Sequence, residues 1–328
     1  MSSIGCVGQV RRHNLASPAL VVASLLLLAA GCGSGIENTS SKKPSTSTAP
    51  TADTKSTTNY KFQLFDAPGA TRTVANAINN VGSVAGYFWD SNGLRHAFVR
   101  SPGGKVTTFT PDGAMWAVAL GINDFGLIVG YFSDASNRQH GFVREPNGAI
   151  TQVDLPNPPA VDTNLVAVND LGLILGDYDT GNIDSAIPFL LRERTVSFPG
   201  EAPGSAPMQT YALGLNNTGF VSGGFYDSNG YAHGFLLDGN QYTRVDDPSS
   251  ADTFIWALND RGEVVVDTDD GCGFIFKINK KTFAPLPCVG IGSYAYGINN
   301  RGQVVGFNFD SVDPNNIWHG FIATPVDE

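Results

Sequence analysis

Six copies of one unit run through this chain from Tyr60 onward, and that repeat constrains the fold more than any other feature. The clearest copy reads Ala77-Ile78-Asn79-Asn80-Val81-Gly82-Ser83-Val84-Ala85-Gly86-Tyr87-Phe88, then Asp90-Ser91-Asn92-Gly93, then His96-Ala97-Phe98-Val99-Arg100. Its asparagine returns at Asn79, Asn123, Asn169, Asn216, Asn259 and Asn299, and a glycine follows three residues later each time. Its phenylalanine returns at Phe98, Phe142, Phe189, Phe235, Phe274 and Phe321, at spacings of 39 to 47 residues. A period of this size belongs to solenoids, propellers or arrays.

The residue types inside the unit decide among these. Asn and Gly tolerate positive φ, so Asn-x-x-Gly between two apolar runs reads as a tight turn between strands. Each Asn follows an aliphatic residue, and that follows Ala or Gly: Ala77, Gly121, Ala167, Gly214, Ala257, Gly297. Small residues in one column imply a strand face packed close against a neighbour. Polar turns then separate a second, a third and a fourth short apolar run, and no segment holds a helical period. Four antiparallel strands per repeat is the pattern of a propeller blade, whereas solenoid repeats are shorter. The expectation is therefore an all-β, six-bladed β-propeller. The chain opens with a lone fourth-type strand, Lys61–Phe65, and its last strand, around Phe321, is of the third type. The first should complete the last blade and remove two exposed edges.

The block His96-Ala97-Phe98, with Ile78-Asn79-Asn80-x-Gly82 before it, resembles the bacterial extracellular repeat family called HAF, after its His-Ala-Phe tripeptide. His140-Gly141-Phe142, His233-Gly234-Phe235 and His319-Gly320-Phe321 match in the same way, as does the opening Phe65-Asp66-Ala67-Pro68-Gly69-Ala70. Ile187-Pro188-Phe189 and Cys272-Gly273-Phe274 lack the His, and Val266 stands where other copies have Gly86, Gly130, Gly176, Gly223 and Gly306. The resemblance covers residues 60–324. It implies export and a surface location, and brings no reaction, ligand or catalytic residue with it.

The N-terminal segment agrees with export. Arg11-Arg12-His13 forms a positive region, Leu20 to Ala30 an apolar run too short for a comfortable membrane span, and the run ends in Leu28-Ala29-Ala30-Gly31-Cys32. This resembles a lipobox, in which cleavage precedes an acylated Cys; Ala29 stands where a larger aliphatic residue is usual. The twin-arginine route lacks its other motif residues. Residues 1–31 read as a signal peptide. Residues 32–59, from the lipidated Cys32 through a Ser-, Thr-, Pro- and Lys-rich stretch, read as a disordered tether, and 60–328 as the propeller. Acyl chains at Cys32 would hold the protein at the outer membrane or cell surface, with membrane contact through that anchor only.

Composition narrows the partners. The net charge is −10 and no Lys/Arg cluster interrupts it, so nucleic acid is excluded as an expected partner. Four of the five histidines (His96, His140, His233, His319) hold one repeat position. Equivalent atoms on adjacent blades are too far apart to share a metal, since zinc takes ligands at about 2 Å. Asp90, Asp134 and Asp227 each precede the His of their hairpin by six residues, which points to Asp–His braces. Asp90-Ser91-Asn92-Gly93 and Asp227-Ser228-Asn229-Gly230 echo a calcium loop without its downstream Glu, and an Asp-initiated turn accounts for them. No catalytic set, cofactor or metal is assigned. Cys272 and Cys288 flank a turn at Asn279-Lys280-Lys281 and, in an oxidising compartment, form a candidate disulfide.

The loops from fourth to first strands are the longest and most variable, including 154–164, 199–211 and 246–254. They lead to aromatic residues near the start of first strands: Trp116, Tyr211, Phe254 and Tyr294. Recognition concentrates on such loops, and rings offer rigid contact area. The sequence therefore points to a surface-anchored, monomeric binding or scaffold module for an extracellular glycan or protein. An exported propeller enzyme acting on polysaccharide is the alternative.

Overall fold

The computed structural model describes residues 59–156, 160–181, 186–248, 250, 252–267, 273–286, 292–309 and 317–326. All regular structure among them is β. The strands fall into six antiparallel sets of four. Blade 1 comprises Arg72–Ile78, Val84–Trp89, Arg95–Arg100 and Val106–Phe109. Blades 2 to 5 open at Trp116–Ile122, Asp162–Val168, Thr210–Leu215 and Phe254–Leu258. Blade 6 takes three strands from the C-terminal end, Gly292–Ile298, Val304–Phe309 and Trp318–Val326. Its fourth is the opening strand Asn59–Phe65, paired from Asn59↔Val326 to Phe65↔Gly320. The propeller closes as the sequence predicts, with the closing strand two residues longer at its start. One parallel bridge, Arg72↔Trp318, joins blades 6 and 1.

Each first strand carries one β-bulge, at the residue between Ala75 and Ala77 in blade 1 and at the equivalent place in the other five. A bulged residue is unpaired and re-aims its side chain. Here the six are Asn76, Leu120, Val166, Leu213, Trp256 and Tyr296, and all six line one cavity of about 100 Å³ on the axis. The small residue next to each bulge lets first strands approach. A Cβ added to Gly121 would stand 2.9 Å from Ala167 Cα, one added to Gly214 3.0 Å from Ala257 Cα, and one added to Gly297 3.0 Å from Ala77 Cα. Glycine and alanine thus alternate around the ring, each glycine admitting its neighbour's alanine.

The Asn of every Asn-x-x-Gly turn does two jobs. Its Oδ1 accepts the backbone N–H four residues on, as in Ser83 N to Asn79 Oδ1 at 2.8 Å, which holds the turn. Its Nδ2 donates to the carbonyl of the corresponding Asn in the next blade, at 2.9 to 3.4 Å around the whole ring. A second ring lies one residue on. The backbone N–H of Asn80, Asp124, Asp170, Asn217, Asp260 and Asn300 each donates to the next blade's Asn or Asp side chain, at 2.6 to 2.8 Å. This end of the axis is a polar rosette whose groups satisfy one another.

Candidate ligand-binding face

The strand directions give the propeller two unlike faces. The axial Asn turns and the third-to-fourth-strand turns share one, the turn face. The opposite, long-loop face carries the fourth-to-first connections and the second-to-third turns.

The repeated histidines stand at the long-loop ends of third strands and act as braces. His96 Nε2 lies 3.2 Å from Asp90 Oδ2, and His140 and His233 Nε2 lie 3.4 Å from Asp134 and Asp227 Oδ2. The other Oδ of each Asp caps its own turn: Asp90 Oδ1 accepts from Asn92 N at 2.8 Å and Leu94 N at 2.9 Å. The bond from Leu94, then that from His96, holds the Asp90 carboxyl below its ordinary value. These carboxylates are therefore engaged by their own turns. A second carboxylate closes the brace from the fourth strand: His140 Nδ1 meets Asp154 at 2.9 Å, His233 meets Asp246 at 3.2 Å, and His319 meets Asp66 at 3.0 Å. The sequence reading missed these three. Their signal is an Asp two residues before Pro, in Asp66-Ala67-Pro68, Asp154-Leu155-Pro156 and Asp246-Asp247-Pro248. Among the described residues no group of three or more His, Cys, Asp or Glu is placed to hold a metal ion.

Cys272 and Cys288 lie outside the described residues, as does Cys32. The hairpin between Phe274 and Pro285 is centred between Asn279 and Lys280, half a residue before the centre the sequence suggested.

Near the axis the long-loop face is built from aromatic rings. Trp116 is half-buried, packs edge-on to Tyr131 with centroids 5.7 Å apart, and carries the Arg95 guanidinium 3.7 Å from its ring centroid. Tyr294 stacks on Phe307 at 5.1 Å, and Phe307 on Trp318 at 5.1 Å. Phe254 packs on Tyr226 at 5.4 Å and approaches Tyr211 at 6.4 Å. Of the four rings singled out in the sequence, Trp116, Phe254 and Tyr294 keep part of their surface in solvent, while Tyr211 is 1% exposed and packs within the core.

Blade 3 breaks the aromatic pattern. Where blades 1, 2 and 6 place Tyr87, Tyr131 and Phe307 after the second-strand glycine, blade 3 has Asp177, opposite Asn164. Asn164 Nδ2 donates to Asp177 Oδ1 at 3.0 Å. Asp177 Oδ2 and Asn164 Oδ1 are buried with no hydrogen-bond partner among the described residues, and so is Trp256 Nε1. Burial pushes the Asp177 carboxyl up to about 7; the bond from Asn164 opposes this, while Asp179 and Asp162 add to it. Burial likewise raises the Tyr131 phenol to about 12, against the nearby Arg95 cation, which also hydrogen-bonds it, while the charge of Asp177 adds to the rise. Orphaned acceptors are costly inside a protein. Gly224 in blade 4 and Asp267 in blade 5 also depart from the aromatic column, but only blade 3 sets an acid opposite an asparagine.

No family profile matches the sequence, and no curated protein matches it. Solved structures do. The structure is similar to AofleA from Arthrobotrys oligospora, at 11% identity over 82% of this chain and 91% of that one, with a TM-score of 0.52. The chain is a β-propeller. Virginiamycin B lyase from Staphylococcus aureus is similar at 11% identity over 82% of this chain and 100% of that one, with a TM-score of 0.49. The six-bladed propeller lectin of Aleuria aurantia is similar at 13% identity, over 82% and 96%, with a TM-score of 0.44. At such identities the likeness is one of fold.

Proposed function

We propose that this protein is an exported, lipid-anchored propeller of the HAF-repeat type that binds an extracellular carbohydrate at the axial mouth of its long-loop face. The observation that carries the reading is the Asn164–Asp177 pair. It sets buried, unpartnered acceptors beside aromatic rings, on the face that holds the variable loops. Pockets for polar ligands combine apolar walls with a few convergent polar groups. Hydroxyl groups would supply the missing donors, and Trp116 and Tyr294 the flat surfaces on which sugar rings pack.

A second reading uses the same pair. A carboxyl whose pKa burial raises to about 7 holds its proton near neutrality, as the general acid of a glycoside hydrolase must. Asp162 and Asp179 lie close enough to influence it. A saccharide array run beside a reducing-sugar release assay separates the two. Retained sugar without release supports binding, release lost in Asp177→Asn supports hydrolysis, and neither response on any saccharide sinks both. The anchor is tested by intact mass and fractionation. The mature chain should begin at an acylated Cys32, and Cys32→Ala should leave the membrane fraction.

A further inference from the structure

Charge divides unevenly between the two faces. On the long-loop face the cations among the described residues are Arg72, Arg95, Arg138 and Arg244, outnumbered by acids such as Asp66, Asp90, Asp134, Asp154, Asp227 and Asp246. The turn face is different. Its third-to-fourth-strand turns carry Lys105, Arg194, Lys280 and Lys281, and its axial turns carry Arg261 and Arg301. Acids are present there too: Glu145, Glu193 and Asp238 stand exposed in the third-to-fourth-strand turns, and the others are engaged. Glu263 is bridged to Arg261 at 2.6 Å and to Lys277 at 3.6 Å, and Asp124, Asp170 and Asp260 are bonded into the rosette.

The third residue of each axial turn adds a second asymmetry. It is Val81, Phe125 and Leu171 in blades 1 to 3, exposed by 50%, 71% and 65%, and Thr218, Arg261 and Arg301 in blades 4 to 6. The turn itself needs only the backbone of this residue, as in Phe125 N to Asn123 Oδ1 at 3.1 Å. A single exposed apolar side chain is ordinary; three on consecutive blades form a patch. The chain also enters here. The end of the last strand is fixed to the blade 6 turn by Gln303 Nε2 donating to Thr324 Oγ1 at 3.2 Å. Asn59 pairs with Val326 two residues beyond, so everything before Asn59, including Cys32, joins the body on the turn face.

We propose that the turn face is a lipid-docking surface. Val81, Phe125 and Leu171 enter the headgroup boundary of an anionic bilayer, and Arg301, Lys280 and Lys281 meet its phosphates. An apolar patch and cations on one face are what such an interface takes up, and each cation near an anionic surface adds to the attraction. Docked this way, the body rests on the membrane from which its tether rises and turns the acidic long-loop face outward. The inference rests on the anchored reading for the side on which the membrane lies, so the test supplies the tether independently.

A chain starting at residue 32, with Cys32→Ala and an N-terminal oligohistidine, is held on vesicles by nickel-chelating lipid. Phe125→Trp is compared with Met115→Trp, which places the added ring on the long-loop face, where Met115 is 56% exposed. On phosphatidylglycerol vesicles with brominated acyl chains, the tryptophan at 125 should lose most of its added fluorescence and the one at 115 none. Pure phosphatidylcholine should quench less. In separate unlabelled chains, Leu171→Asp with Arg301→Glu should weaken sedimentation with phosphatidylglycerol vesicles lacking nickel lipid by about tenfold, with an unchanged melting temperature. Quenching at 115 instead, or at neither position, overturns the proposal. So does a dimer in lipid-free solution that Leu171→Asp dissociates, which would assign the patch to a second copy of the chain.

Discussion

The side-chain amide of Asn299 donates to the backbone carbonyl of Asn79 at 3.0 Å, joining the last blade to the first across 220 residues of sequence. The same contact recurs between every pair of adjacent blades, so the ring is closed near its axis as well as by the opening strand at its rim. Two unrelated closures make the propeller hard to open at one seam.

This gives the first prediction. Asn169 donates to Asn216 O at 3.0 Å and accepts from Leu171 N and Leu173 N at 3.0 Å each. Asn169→Ala leaves two turn amides unmatched and removes the bond to Asn216 O, which keeps Gly219 N at 3.2 Å, and should cost about 2–4 kcal/mol. Asn169→Asp keeps the acceptor and loses the donor, and should also destabilise. Urea denaturation at constant m-value is the measurement; a midpoint equal to wild type would show the rosette to be dispensable.

The alternation of glycine and alanine gives a second, testable as a cycle. In Gly121→Ala the new methyl carbon meets Ala167 Cα at 2.9 Å and Val166 O at 3.1 Å, both backbone. Overpacking of this kind costs about 1–3 kcal/mol. Adding Val129→Ala, which withdraws the Cγ2 that the new methyl carbon also meets at 3.0 Å, should recover part of the loss, giving a coupling energy of about 1 kcal/mol. Strictly additive effects would mean that the two strands adjust independently.

How far the sequence could go is plain from these residues. The Asn-x-x-Gly turn, the small-residue column and the closing strand are local patterns repeated six times, so periodicity exposes them. Asp–His bracing from Asp90, Asp134 and Asp227 was legible because both partners lie in one hairpin. The rosette was not, because the partner of each Asn is the same position one blade away, and a periodic sequence cannot show which copies touch. The bulge was hidden for another reason: Asn76, Leu120, Val166, Leu213, Trp256 and Tyr296 share no chemistry, only an environment. Asp177 stands in a column that holds Tyr87, Tyr131 and Phe307 but also Gly224 and Asp267, and its significance depends on burial, which pattern alone does not report.

Rim closure carries the third prediction. The opening strand pairs along its full length with the last one, and it places Phe62 5.5 Å from Phe321 and Phe65 6.1 Å from Phe98 of blade 1. A chain beginning at Ala67 would expose the edge of Trp318–Val326 and uncover both rings. It should melt well below the intact protein and associate through that edge. Light scattering and calorimetry on the truncated chain would decide, and a monomer with an unchanged melting temperature would refute the claim.

Asp177 sets a pH dependence. Its carboxyl titrates near 3.8 when unfolded and at about 7 when folded, because burial disfavours the charged form. Well below pH 3.8 both states are protonated and the site costs nothing extra. As pH rises toward 7 the unfolded chain releases a proton that the folded chain retains, so stability falls, and it levels off above about pH 7. The full span is about 4 kcal/mol. Asp177→Asn removes the titration while keeping the shape, so the mutant should gain relative to wild type between pH 4 and 7. Matched denaturation curves at pH 4.5 and 8 give the difference; an equal offset at both values would place the titration elsewhere.

The last prediction fixes the binding face. Trp116 keeps part of its ring in solvent and is held from beneath by Tyr131 and alongside by Arg95, so it can lend a flat surface without moving. Trp116→Ala removes that surface at little cost to the core. With a bound saccharide in hand it should weaken binding by about tenfold or more, the usual effect of losing a buried aromatic anchor, while the melting temperature holds. Tyr211→Ala is a poor probe, because that ring is core and its loss would unfold the blade. Asn80→Ser is equally poor as a control, because Asn80 belongs to the rosette. Gly103→Ser is the better one: it lies on the turn face, and an added Cβ there meets nothing closer than Ser101 Oγ at 4.0 Å. If Gly103→Ser abolishes binding and Trp116→Ala leaves it intact, the ligand sits on the turn face and the assignment of the two faces is reversed.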